Sequence, residues 1–499
     1  MRENHQMWKR KMTKPQTAVN HVTPSTFGPV EGPVGCGGIL RLIANCNSGD
    51  GQQVEPAYAR IAKFMIPSIF ACWLAAMAFS ALHATPLRVL TIGDSMTEEY
   101  AFELPFSAPD SNPTNANIDN WPEILTNHRA AWLTLGSYRS ALLSWLDLRD
   151  GGYEYNYGVP GFTTNDWVGV CQSTAFDLLS SDPIIALHYP TKINLINNLA
   201  EVDAVIIFLG GNDLKSTYTA IYSALQPPSL LTQSVTNLAT IHDFVRSRAP
   251  SLPIILATAP DVGATPDVAG KYTDPTLRLQ ARTRIAAMNA SLIAMAASRG
   301  ATVARIDSLT DRIFDEVPFQ LNGTTFIYPP SPENTPRPMF CKDGFHPATM
   351  AQTLIADILV DALNRATVGT IPRFANREIL GPVLGLNPDQ PYLDWAAEVG
   401  DFLANPDGDG LSNLAEYMLG TSPTHADSPF VFSANGLMRF IPSITAQNFA
   451  TLVVEESSNL STWLPVPSVR ITVAADRAWQ VAPSGRSSEF YRVAVTPRP

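Results

Sequence analysis

Between Leu87 and Arg365 the chain alternates short apolar runs with longer helical stretches, and this alternation narrows the fold more than any other feature. Leu87–Ile92 (LRVLTI), Ala204–Leu209 (AVIIFL), Pro253–Ala257 (PIILA) and Ala301–Ile306 are each readable as a buried strand. Between and after them, Trp121–Leu135, Leu230–Arg248, Leu277–Arg299 and Pro347–Arg365 carry helical patterning. Asn120 is the expected N-cap of the first helix, with Pro122 in its first turn. Strands separated by helices of this length predict a parallel sheet covered on both faces, an α/β fold of three layers. Such sheets bind ligands at the carboxyl ends of their strands, so chemistry is sought there.

The rest of the chain reads differently. Residues 367–390 are rich in Pro, Gly and Asn and predict a linker, 391–424 a calcium loop, and 425–499 a small all-β module with alternating runs at Thr451–Glu455 and Phe490–Val495. At the other end, Arg60 and Lys63 precede the uncharged run 64–82, which closes His83-Ala84-Thr85-Pro86. That is the build of an export signal, 65–84, cleaved after Ala84, although Leu82 is an unusual residue three positions before the cut. An uncleaved anchor is the competing reading, weakened by Pro67 and Ser80. Residues 1–64 show no sustained periodicity and sit oddly before a signal, so the expected translation start lies downstream, near Val54 or Met65.

Without residues 1–84 the chain keeps 26 Lys+Arg against 41 Asp+Glu, a net charge of -15. An acidic chain with no basic block excludes nucleic acid as the expected partner. Cys171 and Cys341 are the two cysteines left. They pair in an oxidising compartment if close enough and are otherwise two buried thiols; sequence leaves both open.

Four short blocks carry chemistry, though each taken singly is an ordinary turn or loop. Gly93-Asp94-Ser95-Met96-Thr97 follows the first strand, where a serine on a strand-to-helix turn stands at the sheet edge. Asn156–Thr164 (NYGVPGFTT) places Gly161 where a backbone N–H can approach a ligand. Gly210-Gly211-Asn212-Asp213 ends the second strand with a side-chain amide donor. Asp343-Gly344-Phe345-His346-Pro347 sets a carboxylate and an imidazole three residues apart before the last helix. The carboxylate can there fix the tautomer and free the other ring nitrogen.

In this order the blocks resemble the SGNH hydrolases, the GDSL esterase/lipase family, over roughly Pro86–Arg365, with Met96 where many members have Leu. The resemblance implies a flavodoxin-like domain, 85–366, that hydrolyses carboxylic esters through an acyl-enzyme. It makes Ser95 the nucleophile, His346 the base and later the acid, and Asp343 its orienting partner. It assigns the oxyanion hole to the Ser95 N–H, the Gly161 N–H and the Asn212 amide. Asp94, Asn156 and Asp213 are expected to hold loops, and the reaction needs no cofactor. The polar insert 103–121 is expected as a solvated loop with Trp121 in the core.

Asn405–Glu416 has the twelve-residue spacing of an EF-hand loop. Asn405, Asp407, Asp409, the Leu411 carbonyl, Asn413 and Glu416 are the expected ligands of a structural Ca²⁺, between short helices at Trp395–Ala404 and Leu414–Leu419. With Glu456–Trp463 and Phe490–Arg492, this region resembles a C-terminal module of secreted verrucomicrobial-type proteins. Trp463 and Trp479 are expected to pack in its core. Together these readings describe a secreted, periplasmic or surface serine esterase without stable membrane insertion once its signal is removed. Its expected substrate is an ester, with acylated polysaccharide the suggested class. A glycan-binding or attachment protein that has lost activity, and an acyltransferase using the same serine, are the alternatives.

Overall fold

The computed structural model describes residues 85–100, 118–141, 144–149, 151–223, 229–328, 336–396, 400–486 and 489–499. The expected export signal, the segment before it and most of the insert 103–121 lie outside the described residues.

Six strands form one parallel sheet: β1 (Leu87–Gly93), β2 (Leu133–Thr134), β3 (Asn156–Gly158), β4 (Ala204–Phe208), β5 (Ile254–Ala257) and β6 (Thr302–Ala304). The path is β2-β1-β4-β5-β6, and β3 pairs with the carboxyl half of β1 (Thr91 opposite Asn156, Gly93 opposite Gly158). This order, 2-1-3-4-5 when β2 and β3 are counted as one edge, is that of flavodoxin-like folds.

Period-two alternation divides the sheet's side chains between two cores. Val89, Ala204, Ile206, Phe208, Ile255 and Ala257 face one layer, built from α1 (Trp121–His128) and from α7 (Thr349–Ala366). Leu90, Ile92, Val205, Ile207, Ile254 and Leu256 face the other, built from α2 (Thr164–Gln172), α3 (Pro183–Leu199), α5 (Ser229–Arg248) and α6 (Pro275–Ser298). The helix α4 (Gly211–Ser223) leaves the end of β4.

The first helix is shorter than its apolar pattern predicts. Asn120 caps it with a full capping box, but it ends at His128, and Leu133–Thr134 becomes β2 beside Leu87 and Arg88. The expected linker is also corrected. Ile371, Phe374, Ile379, Leu380 and Leu384 are buried in the core under α7, so residues 371–384 are a strap over that layer of the sheet and not a tether. Cys171 is a free thiol, and both it and Cys341 are buried.

Beyond the strap, α8 (Gln390–Ala396) and α9 (Asn413–Leu419) flank the acidic loop. Of the expected helix Trp395–Ala404, residues 397–399 lie outside the described residues; among the described ones α8 ends at Ala396 and Phe402–Leu403 form a turn. Two antiparallel sheets follow, the larger pairing built from Ala450–Ser457 against Phe490–Pro497. Trp479 packs on this region's core beside Phe440, and Trp463 lies half-buried under the Arg492 guanidinium. Among the described residues, no helix is long and apolar enough to cross a membrane.

Candidate active site

Four segments meet at the carboxyl end of the sheet. After β1 the chain makes one hydrogen-bonded turn, with Thr97 and Glu98 N–H donating to the Asp94 carbonyl at 2.9 and 3.0 Å. The expected strand-to-helix corner is therefore a tight turn over residues 94–98. The Asp94 carboxylate accepts the Met96 N–H at 3.0 Å, and Ser95 is 7% exposed at its crest.

Ser95 Oγ lies 2.9 Å from His346 Nε2. The other ring nitrogen, Nδ1, is hydrogen-bonded to Asp343 Oδ2. The remaining Asp343 oxygen accepts the N–H groups of Phe345 and His346 at 2.9 and 3.1 Å. Burial pushes the Asp343 carboxyl up, but the hydrogen bond from His346, its charge and the two N–H donors outweigh it and hold Asp343 below the usual range. An ionised Asp343 accepts from Nδ1–H, so Nε2 is the nitrogen that faces the serine with its lone pair. Phe345 and Tyr100 set the imidazole's tilt by edge contacts, with centroids at 5.4 and 6.2 Å.

Gly161 and Asn212 join the same edge. Asn212 sits in the first turn of α4 and donates one Nδ2 hydrogen to the Phe162 carbonyl at 3.0 Å. A primary amide has two such hydrogens, so a second donor remains. Gly161 has φ +76, and a Cβ there would meet nothing within 4 Å, so the glycine serves the backbone conformation and not clearance.

The three expected loop-holders contact loops. Asn156 donates to the Thr97 carbonyl at 2.7 Å and accepts from the Thr91 hydroxyl, locking β3 to the serine turn. Asp213 accepts from Thr164 N–H and Oγ at 2.9 and 2.6 Å and from Ser234 Oγ at 3.0 Å. Asp94 is buried, and desolvation, opposed by the Met96 N–H and the charge of His346, pushes its carboxyl up to about 6. Trp121 is fully buried in the core, as expected. The sequence reading missed three contributors. Trp167 donates its indole N–H to the Gly93 carbonyl at 2.9 Å, Asn120 donates to the Glu98 carbonyl at 2.5 Å, and the Lys215 ammonium stands 3.5 Å over the Phe345 ring. No short motif announces them, because each acts across a distance of 22 residues or more in the chain.

An apolar pocket of about 40 Å³ adjoins the serine turn, lined by Met96, Ile306, Leu309, Ile313, Phe345 and Ile355 among others.

Far along the chain, Asp407, Asp409 and Glu416 bring carboxylate oxygens within 4.8 Å of one another. Burial, then the charges of Asp407, Asp409 and Asp427, pushes the Glu416 carboxyl up to about 7. Asn405 accepts the Gly408 N–H at 2.9 Å, Asn413 donates to the Asp401 carbonyl at 3.0 Å, and Leu411 N–H donates to Asp409 at 2.8 Å.

The family model described as GDSL-like Lipase/Acylhydrolase matches residues 89–359. No curated protein matches the chain in sequence. Solved structures similar to it include LAE5, an alpha/beta hydrolase enzyme from the metagenome of Lake Arreo, Spain. It shows 14% identity over 57% of this chain and 98% of that one, at TM-score 0.31. A family 3 carbohydrate esterase of Clostridium thermocellum shows 15% identity over 56% and 96%, at TM-score 0.28. Axe2, an acetylxylan esterase of Geobacillus stearothermophilus, shows 14% identity over 56% and 95%, at TM-score 0.29.

Proposed function

The chain belongs to the GDSL-like lipase/acylhydrolase family and is a carboxylic ester hydrolase, and from that premise we propose that Ser95, His346 and Asp343 carry an acyl-enzyme mechanism in an exported esterase that removes short acyl groups, with acylated polysaccharide as its substrate class. The single observation that carries the mechanism is the continuous hydrogen-bonded line from Ser95 Oγ through His346 to Asp343.

The steps follow from that line. Ser95 Oγ bonds to the ester carbonyl carbon while its proton passes to His346 Nε2. The negative charge that develops on the carbonyl oxygen is met by the N–H groups of Ser95 and Gly161 and by the second Nδ2 hydrogen of Asn212. Asp343 keeps its negative charge and stabilises the imidazolium through Nδ1–H. Collapse breaks the bond to the alcohol oxygen, which takes the proton from Nε2. Water then gives a proton to Nε2 and its oxygen bonds to the acyl carbon. Ser95 leaves and regains its proton, freeing the acid.

The small apolar pocket beside Met96 and Phe345 supports a short acyl group. The basic flank and uncharged run at residues 60–82 support export, and the appended β region supports a polymeric or surface-bound substrate. The test is hydrolysis of aryl acetate and longer aryl esters by the full chain and by Ser95→Ala. The expected result is turnover that falls with acyl length and drops by a factor of about 10⁴ or more in the variant. Equal turnover in both overturns Ser95 as nucleophile; faster turnover of long esters overturns the short-acyl reading. Sugar acceptors in the same assay separate hydrolysis from acyl transfer. N-terminal sequencing of the exported chain is expected to begin at Thr85.

A further inference from the structure

The acidic loop at residues 405–416 lies outside the line from Ser95 through His346 to Asp343, and it holds buried carboxylate oxygens without hydrogen-bond partners. Glu416 is 0% exposed, and neither of its carboxylate oxygens has a hydrogen-bond partner. Asp407 Oδ2 is also buried without one. Among the described residues, no Lys, Arg or His forms an ion pair with Asp407, Asp409 or Glu416. A buried carboxylate without a donor or a cation costs several kcal/mol, and three within one site repel each other. A fold that gathers them is missing a positive charge.

We propose that Asp407, Asp409 and Glu416, with Asn405, the Leu411 carbonyl and Asn413, bind one Ca²⁺ that holds the C-terminal region together. The donors are all oxygens, which disfavours zinc with its preference for nitrogen and sulfur. Their number and the two oxygens of Glu416 suit the six to eight oxygen ligands of calcium. Magnesium demands a smaller, near-ideal octahedron and keeps several waters. The loop's sixth position is Gly410, at φ +94, where the chain turns sharply inside the ligand ring.

The ion's role follows from where Glu416 sits. It lies on α9, whose Leu414, Tyr417, Met418 and Leu419 are buried against Tyr392, Phe440 and Phe449. The Asp409 carboxylate also accepts the Asp427 N–H at 3.1 Å, so the segment after α9 folds back onto the loop. Calcium thus ties the loop, α9 and residues 421–427 to one point. One loop alone makes a structural clamp and not a paired sensor.

The test uses the full chain, stripped with a chelator and titrated with CaCl₂ or MgCl₂ by calorimetry, with thermal unfolding and aryl acetate turnover followed in parallel. The expected result is one Ca²⁺ per chain and an unfolding midpoint that rises with calcium, with tenfold more Mg²⁺ failing to compete. Glu416→Gln and Asp407→Asn are each expected to weaken calcium binding by at least about tenfold. Asp407 is only half-buried, so its variant serves if Glu416→Gln misfolds. A folded wild-type chain that takes up no calcium overturns the proposal, as does equal affinity for magnesium or unchanged binding in Asp407→Asn. Turnover reports separately on Ser95, so loss of one reading leaves the other standing.

Discussion

Gly161 and Asp94 show how single residues tune the site. A Cβ at Gly161 meets no neighbour, so Gly161→Ala is strained only through its positive φ, at about 1–2 kcal/mol. If its N–H binds the oxyanion, even a small rotation of that peptide misaims the donor. The expected outcome is a fall in kcat of about 10², far beyond what the stability loss explains, with KM nearly unchanged. Parallel kinetics and urea unfolding decide it: a loss confined to stability removes Gly161 from the oxyanion hole. Asp94 gives a pH prediction. Its folded carboxyl is raised from 3.8 to about 6, so its favourable contribution is complete below pH 3.8 and is lost as pH rises through about 6. Asp94→Asn does not titrate. Relative to wild type it is expected to gain stability between pH 4 and 7, by up to about 3 kcal/mol. Urea unfolding across that range checks it, and a pH-independent difference between the two refutes it.

At the scale of elements, the strap at residues 371–384 is the part the sequence concealed. The Pro, Gly and Asn content of residues 367–390 reads as a linker, yet the strap is pinned by Arg129, which is 3% exposed and spends every N–H. Arg129 Nε donates to the Pro372 carbonyl at 2.6 Å, its terminal nitrogens grip Glu378 at 2.6 and 2.8 Å, and the carbonyls of His128 and Arg373 take the rest. The guanidinium also lies 3.7 Å over the Phe374 ring. Arg129→Met strands the Glu378 carboxylate and three carbonyls, and a loss of about 3 kcal/mol in urea unfolding is expected. A loss below about 1 kcal/mol would show that the strap is held by its apolar side chains alone. What was legible follows a physical divide. β4 and β5 are continuous apolar runs buried on both faces, β1 is apolar but for Arg88 and Thr91, and the four blocks sit directly at strand ends or helix starts, so local pattern found them. α3 was not read, because its exposed Ile185 and Ile193 blur the apolar stripe and Pro190 interrupts it. β2 and β3 span two and three residues, too short for any period, and exist only because β1 offers an edge. Trp167 and Asn120 reach the serine turn through tertiary contact, which local sequence does not encode.

Over the whole molecule, the apolar cores fall into two groups. The sheet's two faces carry theirs through β1, β4 and β5, while the core around Tyr392, Tyr417, Phe440 and Phe449 belongs to the C-terminal region. Contacts across that division include polar and peripheral ones. Asn322 donates to the Arg498 carbonyl at 3.5 Å, Asn448 to Gln320 at 3.3 Å, and Pro391 lies close to Gly323. Hydrogen bonds of this kind contribute about 1 kcal/mol each, too little to make two separate cores melt as one. Calorimetry of the full chain is therefore expected to show two unfolding transitions, with ester turnover lost only in the one that melts the sheet. Calcium should raise the transition of the C-terminal core and leave the other within a degree or so, because a ligand stabilises only the unit whose folded form binds it. A single transition in which turnover, tyrosine environment and calcium sensitivity all move together would mean that the strap and the seam at Asn322 couple the two cores fully. The acidic loop would then act on the stability of the esterase site as well as on its own region.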